Sequence, residues 1–108
     1  MDERTRRRYE LRAEMFKDLA HPMRLLLLEK INERPRCVCE LAAEVGIEKS
    51  VASKHLSQMK AAGLVDVEKR GTLVQYHIVA PCILETAACA ENTIVESRKR
   101  HLGILVAE

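Results

Sequence analysis

Cys37-Val38-Cys39 is the string whose residue types and spacing point most directly to chemistry. Thiolates are soft metal ligands and nucleophiles, and two of them act together only where the backbone lets them converge. On a regular helix, residues two apart point about 200° from one another, whereas in an extended segment they share a side. Pro35-Arg36 precedes the string and a helical pattern follows it. An extended Cys37 beside a Cys39 in a first helical turn can therefore converge. The positive end of that helix and the cations Arg34 and Arg36 favour thiolate at this place. The guests that such a pair selects are soft: arsenite, antimonite, Cd(II), Pb(II), mercury or Zn(II). The alternative is a pair of small side chains packed between helices.

The other two of the four cysteines, Cys82 and Cys89, stand seven residues apart. On one helix they face the same way but lie ~10 Å apart along the axis, too far to chelate one ion within a chain. Two such helices crossing antiparallel, with a two-fold axis between Glu85 and Thr86, set Cys82 opposite Cys89 of the partner subunit, twice over. Cys82 and Cys89 then form two equivalent dithiol sites. They serve equally as small apolar fillers of an interface, and a folded dimer can also bring one of them to the Cys37/Cys39 pair.

A second constellation is made of lysines and serines. In residues 48–62, Ala52, Leu56 and Met59 recur at spacings of four and three and form an apolar face. Opposite them stand Lys49, Ser50, Ser53, Lys54 and Ser57, whose hydroxyls suit base edges or phosphates and whose ammoniums neutralise phosphates. Lys69 and Arg70 add charge at a hairpin tip further on. Together they form a DNA-binding surface whose affinity depends strongly on salt. The bland alternative is a solvated helix face.

The elements that must position these residues follow from periodicity. Leu11, Met15, Phe16 and Leu19 describe an amphipathic first helix, interrupted at His21-Pro22. A second, nearly all-round apolar helix covers 23–33 with Leu25, Leu26, Leu27, Leu28 and Ile31, and Arg34-Pro35 ends it. A short helix over 39–45 stops at Gly46, Ile47 tucks inward, and the helix of 48–62 stops at Gly63. Residues 64–68 and 73–78 alternate as strands joined by Lys69-Arg70-Gly71-Thr72. Pro81 opens a last helix reaching about residue 100. Helices, a helix-turn-helix, a hairpin and a helix make a mainly α winged helix-turn-helix with a small β-hairpin.

Composition agrees. The 108 residues are 47% apolar with one Phe, two Tyr and no Trp, which fits aliphatic helix packing in one domain spanning 1–108. The N- and C-terminal helices have no duty inside the minimal fold and are the expected homodimer interface. A net charge of +2 permits nucleic acid without demanding it. No apolar run approaches the ~20 residues that span a bilayer. The basic N-terminus has no apolar segment behind it, so a cytoplasmic protein is expected. Cysteines in that compartment speak for metal or redox chemistry rather than a disulfide scaffold. The expected partners are double-stranded DNA and a second copy, with no membrane and no RNA. No cysteine stands with an oxyanion donor in a pocket, so no enzyme is expected.

His21-Pro22-Met23-Arg24-Leu25, Cys37-Val38-Cys39-Glu40-Leu41-Ala42, Val51-Ala52-Ser53-Lys54-His55-Leu56, Ala62-Gly63-Leu64-Val65 and the wing from Lys69-Arg70-Gly71 to Gln75-Tyr76-His77 together resemble the ArsR/SmtB family. The resemblance covers roughly residues 15–80. It implies dimeric repressors seated on inverted-repeat operators and released by metal or metalloid ions, or in some members by oxidation or sulfur species. It also implies that Cys37 and Cys39 are ligands. Members that answer to arsenite commonly carry a third nearby cysteine, which is missing here. The family's other site type uses Asp, His and Glu on the last helix, and residues 81–100 hold Glu85, Glu91 and Glu96 but no Asp or His. A zinc, nickel or cobalt site of that kind is therefore disfavoured. His55 is expected in the helix-turn-helix framework and His21 at the corner between helices, rather than as metal ligands. His77 lies on a strand beside the wing, and His101 ends a basic run.

Overall fold

A computed structural model describes residues 1–102, so residues 103–108 of the expected domain lie outside it. The elements are α1 (Glu3–Leu19), α2 (Pro22–Glu33), α3 (Val38–Val45), α4 (Lys49–Ala61), β1 (Val65–Arg70), β2 (Leu73–Ile78) and α5 (Cys82–Leu102). Their order is the one the periodicity predicts.

Local chemistry sets the boundaries. Asp2 caps α1 by accepting from the Thr5 N–H at 2.7 Å. Pro22 occupies the first turn of α2, where its missing N–H costs nothing, and the His21 imidazole accepts from the Met23 N–H at 3.2 Å. Gly46 ends α3 with φ +73, a left-handed conformation that L side chains avoid. α3 begins one residue earlier than the pattern suggested, because Cys37 is already extended at φ −80, ψ 162 and leaves Val38 as the first helical residue. The hairpin turn is tighter than expected. Lys69 and Arg70 belong to β1, in register with Val74 and Leu73, and only Gly71-Thr72 form the turn. Gly71 has φ +64 while Thr72 does not enter positive φ, as a two-residue turn with glycine first requires.

The core joins Leu27, Leu28 and Ile31 of α2 to Leu41 of α3, Leu56 and Met59 of α4, and Leu64 and Val65 at the start of the hairpin. Tyr76 and Ile78 of β2 close it from the wing side. Leu27, Leu28, Leu41, Leu56 and Met59 are fully excluded from solvent.

The terminal helices are different. Of α1 only Leu19 is buried, while Tyr9, Leu11 and Phe16 are more than 45% exposed. Among the described residues of α5 only Ile83 and Leu84 pack against the core, and Ile94 lies open. The radius of gyration is 16.8 Å, against about 13 Å for a compact globule of this length. That excess comes from two long helices that project from the body.

Leu56→Ala is expected to cost about 3 kcal/mol, because the cavity opens in a closed core, while Val51→Ala on the outer face stays within about 0.5 kcal/mol. Urea denaturation of the two variants checks this, and equal midpoints contradict it.

Candidate nucleic-acid interface and thiol site

α4 is held from behind by Ala52, Leu56 and Met59, all at 0% exposure. That anchoring turns Lys49, Ser50, Lys54 and Ser57 fully outward, with Ser53 half-buried at the margin. Val51, 43% exposed, shares the outer face. Its apolar character kept it out of the sequence-based set, although an exposed methyl group is what contacts a thymine methyl. Lys69 and Arg70 stand exposed at the end of β1, and the Arg70 Nε lies 3.6 Å from a Glu68 carboxylate oxygen. The predicted DNA set thus divides between one helix face and one hairpin end.

Behind the outer face, Arg24 of α2 reaches across to α4. Its Nε–H donates to His55 Nδ1 at 3.3 Å, its second nitrogen donates to the Asp18 carbonyl at 2.9 Å, and its third donates to the Gln58 side-chain oxygen. The His21 and His55 rings meet edge to face with centroids 4.5 Å apart. Burial and the nearby His21, Arg24 and Lys54 hold the His55 pKa below its ordinary value. Sequence reasoning assigned no role to Arg24 or Gln58. The only available signal was the place of Arg24 in the His21-Pro22-Met23-Arg24-Leu25 string.

At the thiol string, Cys37 is the extended residue capping α3 and is half-buried, while Cys39 sits in the first turn and is exposed. This is the backbone arrangement that lets two thiols converge. The electrostatics differ from expectation. Arg36 is not a flanking surface cation: it is 5% exposed and turned inward, paired with Glu44 and, at 3.3 Å, with Glu33. Its Nε is buried without a partner. Arg34 lies 3.5 Å from Glu40, not against the thiols. Glu40 in turn accepts from the Cys37 S–H at 3.3 Å and from the Cys37 N–H at 3.4 Å. A carboxylate therefore stands between the guanidinium and the sulfur. The Cys37 thiol, then its backbone N–H, then Arg34 hold the Glu40 carboxyl below its ordinary pKa.

The backbone of Arg36 makes a second connection. Its N–H donates to the Tyr76 carbonyl at 3.3 Å, and the Tyr76 N–H donates back to the Arg36 carbonyl at 2.8 Å. The residue just before Cys37 is thus an antiparallel bridge onto β2 of the wing.

Cys82 and Cys89 are both exposed on α5, and all four cysteines are free thiols. Among the described residues no three His, Cys, Asp or Glu side chains come together as a metal-holding group. Within one chain, then, neither Cys82 nor Cys89 completes the Cys37/Cys39 pair.

Comparison with known proteins bears on this geometry. The family model described as bacterial regulatory protein, arsR family, matches residues 21–67. The HTH-type transcriptional regulator Rv0081 of Mycobacterium tuberculosis is 39% identical over 98 residues, 90% of this chain and 86% of that protein. Its crystal structure matches with a TM-score of 0.74 over 87% of this chain and 95% of the other. The homodimeric winged helix-turn-helix DNA-binding domain of Mb0332 from Mycobacterium bovis, described as a possible ArsR-family regulator, matches with a TM-score of 0.78 at 26% identity over 94% of each chain. The antimony-specific transcriptional repressor AntR matches with a TM-score of 0.66 at 30% identity, covering 81% of this chain and 79% of AntR.

Cys37→Ala removes the larger of the two hydrogen bonds on Glu40, so the Glu40 carboxyl midpoint moves up towards its ordinary value. A side-chain NMR titration measures it. Because the folded pKa is depressed, this contact adds stability that is present above the unfolded Glu pKa and lost as pH falls through the folded one. An unchanged midpoint in Cys37→Ala contradicts the thiol–carboxylate contact.

Proposed function

The chain belongs to the ArsR family of bacterial regulatory proteins, and from that premise we propose that it is a homodimeric repressor that lays two copies of α4 into successive major grooves of an inverted-repeat operator and is released when a thiophilic ligand engages Cys37 and Cys39. One observation carries the DNA reading: α4 buries Ala52, Leu56 and Met59 completely and leaves lysine and serine side chains outward beside a basic hairpin. Lys49, Ser50, Ser53, Lys54 and Ser57 face the groove, and Lys69 and Arg70 approach the backbone. Two half-sites one helical turn, ~34 Å, apart require a symmetric pair of chains.

Support for the pair comes from the open apolar side chains of α1 and α5. It comes also from a groove between α2 and α5 lined by Leu25, Leu26, Leu84, Ala87 and Ala88, with Glu29 and Glu91 also lining it, and from the homodimeric state of the related Mb0332 domain. Support for a thiophilic inducer comes from an extended Cys37 beside a first-turn Cys39 and from the likeness to an antimony-specific repressor. Thiolate donors select soft ions such as As(III), Cd(II) or Pb(II), and two thiols are incomplete for tetrahedral zinc and one short for trigonal arsenic, so a further donor has to complete the site. Cys37 and Cys39 would hold that ion. Cys82 and Cys89 stand in reserve as a second thiol set across the paired α5 helices.

The chain's own residues supply the coupling. A Cys37 thiol that loses its proton to solvent on binding an ion also loses its bond to Glu40, and the carboxylate keeps its Cys37 N–H and Arg34 partners. Any shift of the Cys37 backbone pulls on Arg36, and Arg36 is hydrogen-bonded to the wing strand at Tyr76. The path from sulfur to wing is two residues long. By reciprocity, operator binding weakens ligand capture by the same factor by which the ligand weakens operator binding.

A duplex selected from a random pool tests the DNA reading. Log affinity should fall linearly with log salt, and Lys54→Ala should lower that slope by about 1 while weakening binding to all sequences alike. A salt-independent affinity, or a monomer at working concentration, contradicts it. Arsenite, antimonite, Cd(II) or Pb(II) should lower duplex affinity at least about tenfold, and Cys37→Ser/Cys39→Ser should abolish the response while Cys82→Ser/Cys89→Ser retains it. Intact mass distinguishes a bound ion from the loss of two hydrogens that marks a disulfide, the signature of a repressor driven by oxidation or sulfur species.

A further inference from the structure

Arg24 is unusual for an arginine in its partners. All three of its hydrogen bonds go to neutral acceptors: an imidazole nitrogen on α4, a side-chain amide on α4 and a backbone carbonyl at the end of α1. Among the described residues no carboxylate forms an ion pair with it. The His55 and Gln58 partners are 31 and 34 residues away in sequence and one turn apart on α4. A single planar fork therefore ties two points of α4 to the body of the protein.

The tie constrains protonation. Arginine only donates, so His55 Nδ1 has to present a lone pair, and His55 is the neutral imidazole with its proton on Nε2. The neighbouring His21 Nδ1 accepts from the Met23 N–H. The groups facing His55 are Arg24 of α2, His21 at the cap of α2, and Lys54 on α4 itself. Asp18 of α1 takes part through its backbone carbonyl. Arg24, Lys54, His21 and His55 line one open basin with Ser50, Val51 and Gln58, and no acid lines it. A proton added at Nδ1 would face an N–H with an N–H and place a third positive charge between Arg24 and Lys54.

We propose that Arg24 is the positioning residue that sets the angle of α4 for DNA, and that it does so only while His55 is neutral, so that acidification unlatches the reading helix and lowers operator affinity. The proposal rests on α4 being the DNA-reading element. The depressed pKa of His55 agrees in direction: the latch adds stability that is complete above the ordinary histidine range and is lost as pH falls through the depressed value.

Two measurements on the full chain test it. In nitrogen-15 NMR of the free protein, His55 should be the Nε2–H tautomer at neutral pH and titrate below the ordinary histidine range of about 6.5. A proton on Nδ1 at neutral pH overturns the latch whether or not the protein binds DNA. In the second measurement, duplex affinity is followed between about pH 7.5 and about pH 5, where single imidazoles charge. The wild type should weaken several-fold. The His55→Asn variant, whose Oδ1 stands near the place of Nδ1 without titrating, should bring the ratio of affinities at the two pH values close to one, whatever its affinity at neutral pH. Arg24→Ala should weaken binding at neutral pH and also flatten the profile. Affinity that rises on acidification, or a His55→Asn profile as steep as wild type, overturns the proposal. Absence of duplex binding at every pH overturns the DNA reading itself, and the tautomer measurement still decides the latch.

Discussion

The burial of one stripe on α4 is the constraint on which the rest depends. Ala52, Leu56 and Met59 are removed from water, Leu56 and Met59 in one cluster with α2, α3 and the root of the hairpin, and each large side chain so placed is worth about 1.5–3 kcal/mol. A helix has one rotation that buries those three residues, and that rotation decides what faces outward. Lysines and serines of α4 face outward because the opposite stripe is apolar. The wing strand leaves the same core at Val65 and returns to it at Tyr76 and Ile78, so the basic hairpin end is fixed relative to the helix by the same packing.

Much of this arrangement is legible from periodicity. The spacing of four and three in α4, the continuous leucines of α2, the stops at Gly46 and Gly63, and the alternation around Gly71 each correspond to an element in the structure. The misses share a cause. Cys37 was expected outside the helix and is, as its cap, but the helix starts one residue earlier, at Val38, where Glu40 returns to the Cys37 N–H. Lys69 and Arg70 looked like loop residues, since charge is scarce in strands, yet an edge hairpin tolerates them. Arg36 is the plainest case. Between a proline and a cysteine it looks like a surface cation, and only the fold brings Glu33 from α2 and Glu44 from α3 around it. The partners that Arg24 finds in Gln58 and in the framework residue His55 were equally hidden, because the pairing joins residues more than thirty apart.

The thiol string and the reading helix are separate devices on one frame. Cys37 lies beside Arg36, whose backbone holds the wing, and Arg24 holds α4 from the other side. Helix α4 and the wing strand therefore each have their own hydrogen-bonded tie to the body, through Arg24 and through the Arg36 backbone. The exposed apolar faces of α1 and α5 supply the remaining requirement, a second copy whose α4 lies at a defined distance. A protein of this size with two projecting helices has more apolar surface than its own core covers, and pairing is the economical way to cover it.

The central claim is that two α4 helices enter DNA as a symmetric pair, and a hydroxyl-radical footprint on a selected duplex tests it most directly. Two protected patches related by a dyad, with centres about one helical turn apart, are the expected pattern. A single patch, or uniform protection along the duplex, would contradict it.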